Sequence, residues 1–235
     1  MEALNLAVRA VARPGDVIAI ESPTYFAVLQ IIESLGMKAI KIPTHPRGGM
    51  DLDALSRAIR KHSVRGCISI ANCHNPLGYI LDDDYKKSLV ALLTRHHVPL
   101  VEDDIYGDLA FNGRRPKTAK TFDTEGMVLL CSSFSKVLAP GFRVGWIEAG
   151  RYRDTVRRLK FINTIASPSL PQLVIAEFIE SGGSRRGFTK HKHRPRCDFS
   201  ASGQFKNYIR ISCGHPWSDS IDRAMITLGK LAEKR

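Results

Sequence analysis

With 235 residues, 43% of them hydrophobic and 25% charged, the chain has the composition of a globular protein with a substantial core. No apolar run approaches the ~20 residues that span a bilayer and no basic-then-apolar leader opens the sequence. Five irregularly spaced cysteines without a C-x-x-C pair point to reduced thiols and a cytoplasmic setting rather than a disulfide framework. The formal charge of +12 admits anionic partners such as nucleic acid, but half of that excess sits in 184–197, as Arg185, Arg186, Lys190, Lys192, Arg194 and Arg196 with no acidic residue among them.

Along the chain, 1–12 predicts a helix, "DVIAI" (16–20) a strand, and 25–36 an amphipathic helix ended by Gly36. Then follow "KAIKIP" as a strand, "DLDALSRAIRKH" as a helix with an acidic start, and "GCISIA" (66–71) as a strand. "DDDYKKSLVALLTRHH" predicts a helix, and "PLVEDD", "MVLLCSS" and "RVGWIEA" predict three strands. Strands alternating with helices imply an α/β fold, a mostly parallel sheet flanked by helices, over 1–150. Two connecting helices are expected within 151–183, and a small, truncated α+β remnant in 184–235. That remnant opens on the basic stretch 184–198, which reads as a junction, and continues as a strand at 207–213 and a helix from Ser218, its N-cap.

In an open parallel sheet, ligands collect at the carboxyl ends of the strands, and three predicted strand ends carry unusual polar groups. "IANCHNPLGYI" follows the strand at 66–71, "VEDDIYGDL" closes the next, and "CSSFSKVLAPGFRVGW" holds a serine-flanked Lys136 before a Pro-Gly breaker. Each alone has an ordinary reading. Asn75-Pro76 with Gly78 is a turn signature. Asp103 and Asp104 suit a helix N-cap or a pair of metal ligands. A lone lysine in a loop is most often simply solvated.

Taken together, the ordered motifs N-P-x-G, D-x-x-Y and S-x-S-K with a following arginine resemble the fold-type I pyridoxal-phosphate (PLP) aminotransferases. "ARPGDVIAIESPTYF", "IPTHPRGGMDLDAL" and "YIRISCGHPWSDSI" are similar to the branch that holds aminoadipate and kynurenine aminotransferases and the effector domains of MocR-type, GntR-class regulators. The resemblance covers nearly all of the chain outside 184–198. It implies an enzyme that moves an amino group from an amino acid to a 2-oxo acid, or alternatively a regulator's PLP- or effector-binding domain without its DNA-binding part. Lys136 is then the amine that holds the PLP aldehyde and later moves a proton. Asp103 faces the pyridine nitrogen, Asn75 and Tyr106 bind the phenolic oxygen, and Tyr25 stacks on the ring. Ser133, Ser135 and Arg143 hold the phosphate, and Arg210 clamps the substrate α-carboxylate. Asp104 and His74 match no such role and are expected to be structural.

The resemblance further implies a homodimer, no membrane association, no resident metal, and no nucleic-acid binding by the chain alone. The family's N-terminal arm and phosphate-binding turn would precede the first helix, which leaves Met1 and Glu2 to represent them. Most of the family's small domain has no counterpart in 198–235. Weak PLP binding and little turnover are therefore expected of this chain.

Overall fold

The computed structural model describes residues 1–110 and 114–181, with Arg223 and Ile226, both helical. The junction at 184–198, the strand at 207–213 that carries Arg210, and most of the last helix lie outside the described residues.

Helix α1 (Glu2–Val11) buries Leu4, Leu6, Ala7 and Val8, and α2 (Phe26–Ser34) buries Ala27, Val28, Ile31 and Ile32. The i, i+3, i+4 spacing puts Leu4, Ala7 and Val8 of α1, and the four residues of α2, on one stripe of each helix, with Leu6 turned away toward another part of the structure. Helix α3 (Leu52–Lys61) starts where the Asp51 carboxylate accepts the Ala54 N–H at 2.9 Å. Helix α4 (Asp83–Arg95) starts in the same way, with Asp82 accepting the Tyr85 N–H at 2.7 Å. These caps satisfy amides that no helical carbonyl reaches.

Among the described residues, seven strands form one sheet: β1 (Val17–Ser22), β2 (Lys38–His45), β3 (Gly49–Met50), β4 (Val64–Ser69), β5 (Leu100–Asp103), β6 (Val128–Ser133) and β7 (Gly145–Glu148). Their spatial order is β3-β2-β1-β4-β5-β6-β7. The pairings among β2, β1, β4, β5 and β6 are parallel, and only the outer strands β3 and β7 run antiparallel to their neighbours. The central strands are buried on both faces, as their Val/Ile/Leu-rich runs require. One core packs α1 and α2 with Ile18, Ile20, Ile68, Val101 and Leu129. A second packs the α3 and α4 side with Ala19, Ile42, Cys67, Leu100 and Val128. The result is a mixed, mostly parallel sheet flanked by helices, as the alternating pattern predicts. The two-residue β3 is an addition, too short for any periodicity to reveal.

After β7 come α5 (Arg153–Thr164) and α6 (Ser169–Glu180). Helix α5 lies along α1: Lys160 Nζ reaches the Glu2 carboxylate at 2.9 Å, and Arg9 donates to Asn163 Oδ1 at 2.9 Å. No helix among the described residues is long and apolar enough to cross a membrane.

Candidate active site

Strands β4, β5 and β6 are adjacent and parallel, so the three polar strand ends picked out in the sequence lie side by side. Asn75 follows β4, Asp103 ends β5, and Ser133 ends β6. The end of β5 sorts its acids by alternation. Val101 belongs to the core under α1 and α2, and Asp103, two residues on, faces the same side. Glu102 and Asp104 face the other side.

The two sides treat their carboxylates differently. Glu102 accepts the backbone N–H groups of Ala119 and Lys120 at 2.7 and 2.9 Å. Asp104 accepts from Asn72 Nδ2 at 2.9 Å and pairs with the Arg115 guanidinium at 2.6 Å. Gly107 makes room for that pair, since a Cβ there would stand 2.7 Å from Asp104 Oδ1. Behind it, buried Lys86 donates to Asn72 Oδ1 at 2.8 Å and to the Lys117 carbonyl at 2.7 Å. Asp103 is 2% exposed, and its Oδ1 is the one buried side-chain oxygen or nitrogen among the described residues without a hydrogen-bond partner. Burial, helped by the nearby charges of Asp104 and Glu21, pushes the Asp103 carboxyl up to about 7. Such an orphan is costly in a folded core and asks for a reason.

A cavity of about 690 Å³ supplies one. Asp103 lines it together with Tyr25, Ser133, Ser135, Lys136 and Arg143. The Lys136 loop leaves β6, turns through a single 3₁₀ turn at Pro140–Phe142, and re-enters the sheet as β7. Gly145 permits this return, because a Cβ there would sit 2.8 Å from the Ser132 carbonyl oxygen. Arg143 closes the turn with φ 53° and ψ 32°, a left-handed conformation that is uncommon for a residue with a Cβ. Its guanidinium is exposed and reaches the Pro140 carbonyl at 3.2 Å and Ser135 Oγ at 3.4 Å.

Asn75 and Tyr106 do not line the cavity wall itself. Asn75 is buried in the turn after β4, and the Tyr106 ring centroid stands 6.0 Å from Lys136 Nζ. Asp104 and His74 are held in hydrogen-bond networks away from the cavity, in keeping with their expected structural parts. Arg210 lies outside the described residues. The sequence reading missed one wall: Arg153, Val156, Arg157 and Lys160 of α5 also line the cavity. Their i, i+3, i+4, i+7 spacing marks one helical face and was available as a signal, but the segment reads as a mere connector. An amine, a buried carboxyl, two hydroxyls and several guanidinium groups converge here, a set suited to an anionic ligand that also carries a cationic group opposite Asp103.

A family model described as aminotransferase class I and II matches residues 1–186. The chain belongs to that family. Among curated relatives, an uncharacterized HTH-type transcriptional regulator of Escherichia coli, YjiR, is 33% identical over 97% of the chain and 60% of its own length. A second, YdcR, is 40% identical over 83% of the chain and 41% of its own length. Aromatic-amino-acid aminotransferase 1 of Thermococcus litoralis is 32% identical over 77% of the chain and 45% of its own length. The chain thus spans 60% or less of the length of these relatives. The YjiR alignment runs over 284 residues, longer than the chain itself, so that relative holds aligned segments with no counterpart here.

Among solved structures, the Pyrococcus horikoshii kynurenine aminotransferase, in complex with PMP, superposes with a TM-score of 0.72 at 31% identity. It covers 79% of this chain and 47% of its own. The α-aminoadipate aminotransferase LysN of Thermus thermophilus, complexed with N-(5'-phosphopyridoxyl)-L-leucine, gives a TM-score of 0.73 at 27% identity, covering 79% of this chain and 48% of its own. The fold is that of the PLP-dependent transferases.

Proposed function

We propose that this chain binds PLP in the cavity beside Lys136 and that the parent activity is transfer of an amino group from an amino acid to a 2-oxo acid. The observation that carries the proposal is Asp103: a buried carboxyl with an unpartnered oxygen in the wall of a cavity that also presents a lysine. A protonated pyridine nitrogen is the partner that such a carboxyl lacks, and pairing would repay its desolvation. When bound, PLP supplies the aldehyde and the electron sink of the reaction.

The chain's own residues then divide the work. Lys136 Nζ holds the cofactor and, once displaced by substrate, takes the proton from the substrate Cα. Asp103 orients the ring and keeps its nitrogen protonated, while Tyr25 covers a ring face. Ser133, Ser135 and Arg143 bind the phosphate with hydroxyl and guanidinium donors. Asn75 and Tyr106 hold the phenolic oxygen, and Arg210 takes the substrate α-carboxylate. A second reading, a PLP- or effector-binding domain of a regulator, is favoured by the two Escherichia coli relatives. Turnover by this chain would favour the first reading.

The proposal extends to a homodimer. Phe161, Ile165, Leu170 and Leu173 are 63–74% exposed along α5 and α6, an apolar surface that a second copy would cover. Cys67, Cys73 and Cys131 are free thiols, which suits a cytoplasmic setting. The test is to add PLP to the purified protein and treat it with borohydride. The intact chain is expected to acquire a visible absorbance band and, on reduction, a stable adduct. Lys136→Ala should lose both, and Lys87→Ala, an exposed lysine of α4 paired with Asp84, should keep them. A reducible adduct in Lys136→Ala would refute the assignment.

A further inference from the structure

Glu21 is a buried carboxylate bonded by four different residues, and none of the roles above uses it. It is 1% exposed and does not line the cavity. Ser69 Oγ donates to its Oε1 at 2.7 Å, the Ile70 N–H donates to Oε2 at 3.0 Å, and Tyr79 OH donates to Oε1 at 3.1 Å. His74 Nε2 lies 3.1 Å from Oε2. The other ring nitrogen, Nδ1, accepts the Leu77 N–H at 3.1 Å, so the proton sits on Nε2 and points at Glu21. The His74 ring stacks on Tyr79 with centroids 4.4 Å apart. Burial by itself would raise the Glu21 carboxyl, but His74, Ser69 and the Ile70 amide outweigh it and hold the group below its ordinary value.

The donors come from the end of β4 and from both arms of the turn that follows it, while Glu21 is the penultimate residue of β1. Four residues after Glu21 stands Tyr25, in the cavity wall. Immediately after His74 stands Asn75. One buried carboxylate therefore ties together the two loops that carry these residues.

Building on the PLP reading of the cavity, we infer that Glu21, acting through His74 and Tyr79, is a positioning residue that fixes Asn75 and Tyr25 at the spacing the cofactor ring needs. A carboxylate with four donors has no rotational freedom, and charge-assisted bonds in a dry site are stiff. Loosening the tie lets the turn after β4 drift by the few tenths of an ångström that separate a hydrogen bond from a contact. Asn75 would then hold the phenolic oxygen less well, and the pH midpoint of the PLP absorbance band, which reports on that oxygen, would rise.

The experiment compares Glu21→Gln, Tyr79→Phe, His74→Gln and His74→Ala with Leu89→Ala, a cavity-creating change in the core under α3 and α4. Each full-length variant is titrated with PLP, and three quantities are read: affinity, the pH midpoint of the band, and the melting temperature without PLP. Glu21→Gln is expected to weaken PLP about tenfold and raise the midpoint. Tyr79→Phe should move both in the same direction by less. His74→Gln, which keeps a donor and an acceptor, should stay closer to the unmodified chain than His74→Ala does. Leu89→Ala should lower the melting temperature at least as far and leave the midpoint in place. If Glu21→Gln lowers the melting temperature but leaves the midpoint and affinity where Leu89→Ala leaves them, the inference is overturned. Should Glu21→Gln not fold, the Tyr79 and His74 variants decide by the same criteria. If the unmodified chain takes up no PLP, the reading of the cavity fails, and this inference with it.

Discussion

Glu102 and Asp103 are neighbours on β5, both almost wholly buried and both pushed up to about 7 by burial. On the α3 and α4 side of the sheet, Glu102 receives two backbone amides, and Asp104 beyond it receives Asn72 and Arg115. On the α1 and α2 side, Asp103 keeps one oxygen unpartnered and faces a cavity. The same strand thus carries a finished structural network on one face and an unfinished polar site on the other. The lesson is that burial and a raised carboxyl do not distinguish a site from a scaffold. Satisfaction does: the scaffold's polar groups are paired, and the site's group waits for a partner.

The comparison breaks most sharply on exchanging the two neighbouring acids. Asp104→Asn removes the charge that pairs with Arg115 inside the network, and should cost about 2–4 kcal/mol of stability with PLP affinity little changed. Asp103→Asn should do the opposite, leaving the PLP-free protein as stable or more so while weakening PLP by a hundredfold or more. Denaturant unfolding and PLP titration of the two variants check this. Losses of equal size in both measurements for both variants would erase the distinction between the faces.

A smaller effect is expected in pH dependence. In the PLP-free folded protein Asp103 holds its proton up to about pH 7, and in the unfolded chain only up to about its ordinary value of 3.8. Between those limits the folded state binds more protons, so the contribution to stability is complete at low pH and is lost as pH rises toward 7. Its slope is at most about 1.4 kcal/mol per pH unit. Asp103→Asn should therefore gain stability relative to the unmodified protein as pH climbs through this window, leaving the slope that Glu102 contributes with the same sign. A stability difference that stays flat from pH 4 to 7 would show that Asp103 is ionised in the folded state.

The smallest effect concerns the cavity rim. Arg143 holds a left-handed backbone, which costs a residue with a Cβ about 1 kcal/mol. Arg143→Gly should release that strain, so the variant should be no less stable than the parent and up to about 1 kcal/mol more so, even as PLP affinity falls. A clear loss of melting temperature would mean that the guanidinium's contacts to Pro140 and Ser135 matter more to the fold than to the site.

Much of this was legible in the sequence, for identifiable reasons. The buried strands β1, β4, β5 and β6 announce themselves by apolar runs, and their polar ends by the break in those runs at Asn75, Asp103 and Ser133. Alternation on β5 separates Asp103 from Asp104 before any coordinates are seen. What stayed hidden depends on neighbours brought together by folding. Glu21 and His74 are 53 positions apart, and nothing in the sequence around either residue points to the other. The stripe of Arg153, Arg157 and Lys160 reads as the solvated face of a connecting helix until α5 is laid against α1. Strand β7 reads as one more strand, and its reversed direction follows only from the tight turn at Pro140–Phe142.

The sheet order bears on how the protein assembles. The parallel pairings around the cavity join segments well apart in the chain: β1 meets β4 only after α2, β2, β3 and α3 have been passed over, β4 meets β5 only across α4, and β5 meets β6 only across a long connection with two short 3₁₀ turns. Closing such loops is entropically uphill until the contacts form, and chains dominated by distant pairings fold slowly. The cavity wall draws on β5, β6, β7, α1, α5 and Tyr25, the residue that caps α2, so it is complete only when the last of these has docked. An intact cavity is therefore a marker of completed folding, acquired at the end of the process and forfeited at the first step of its reversal.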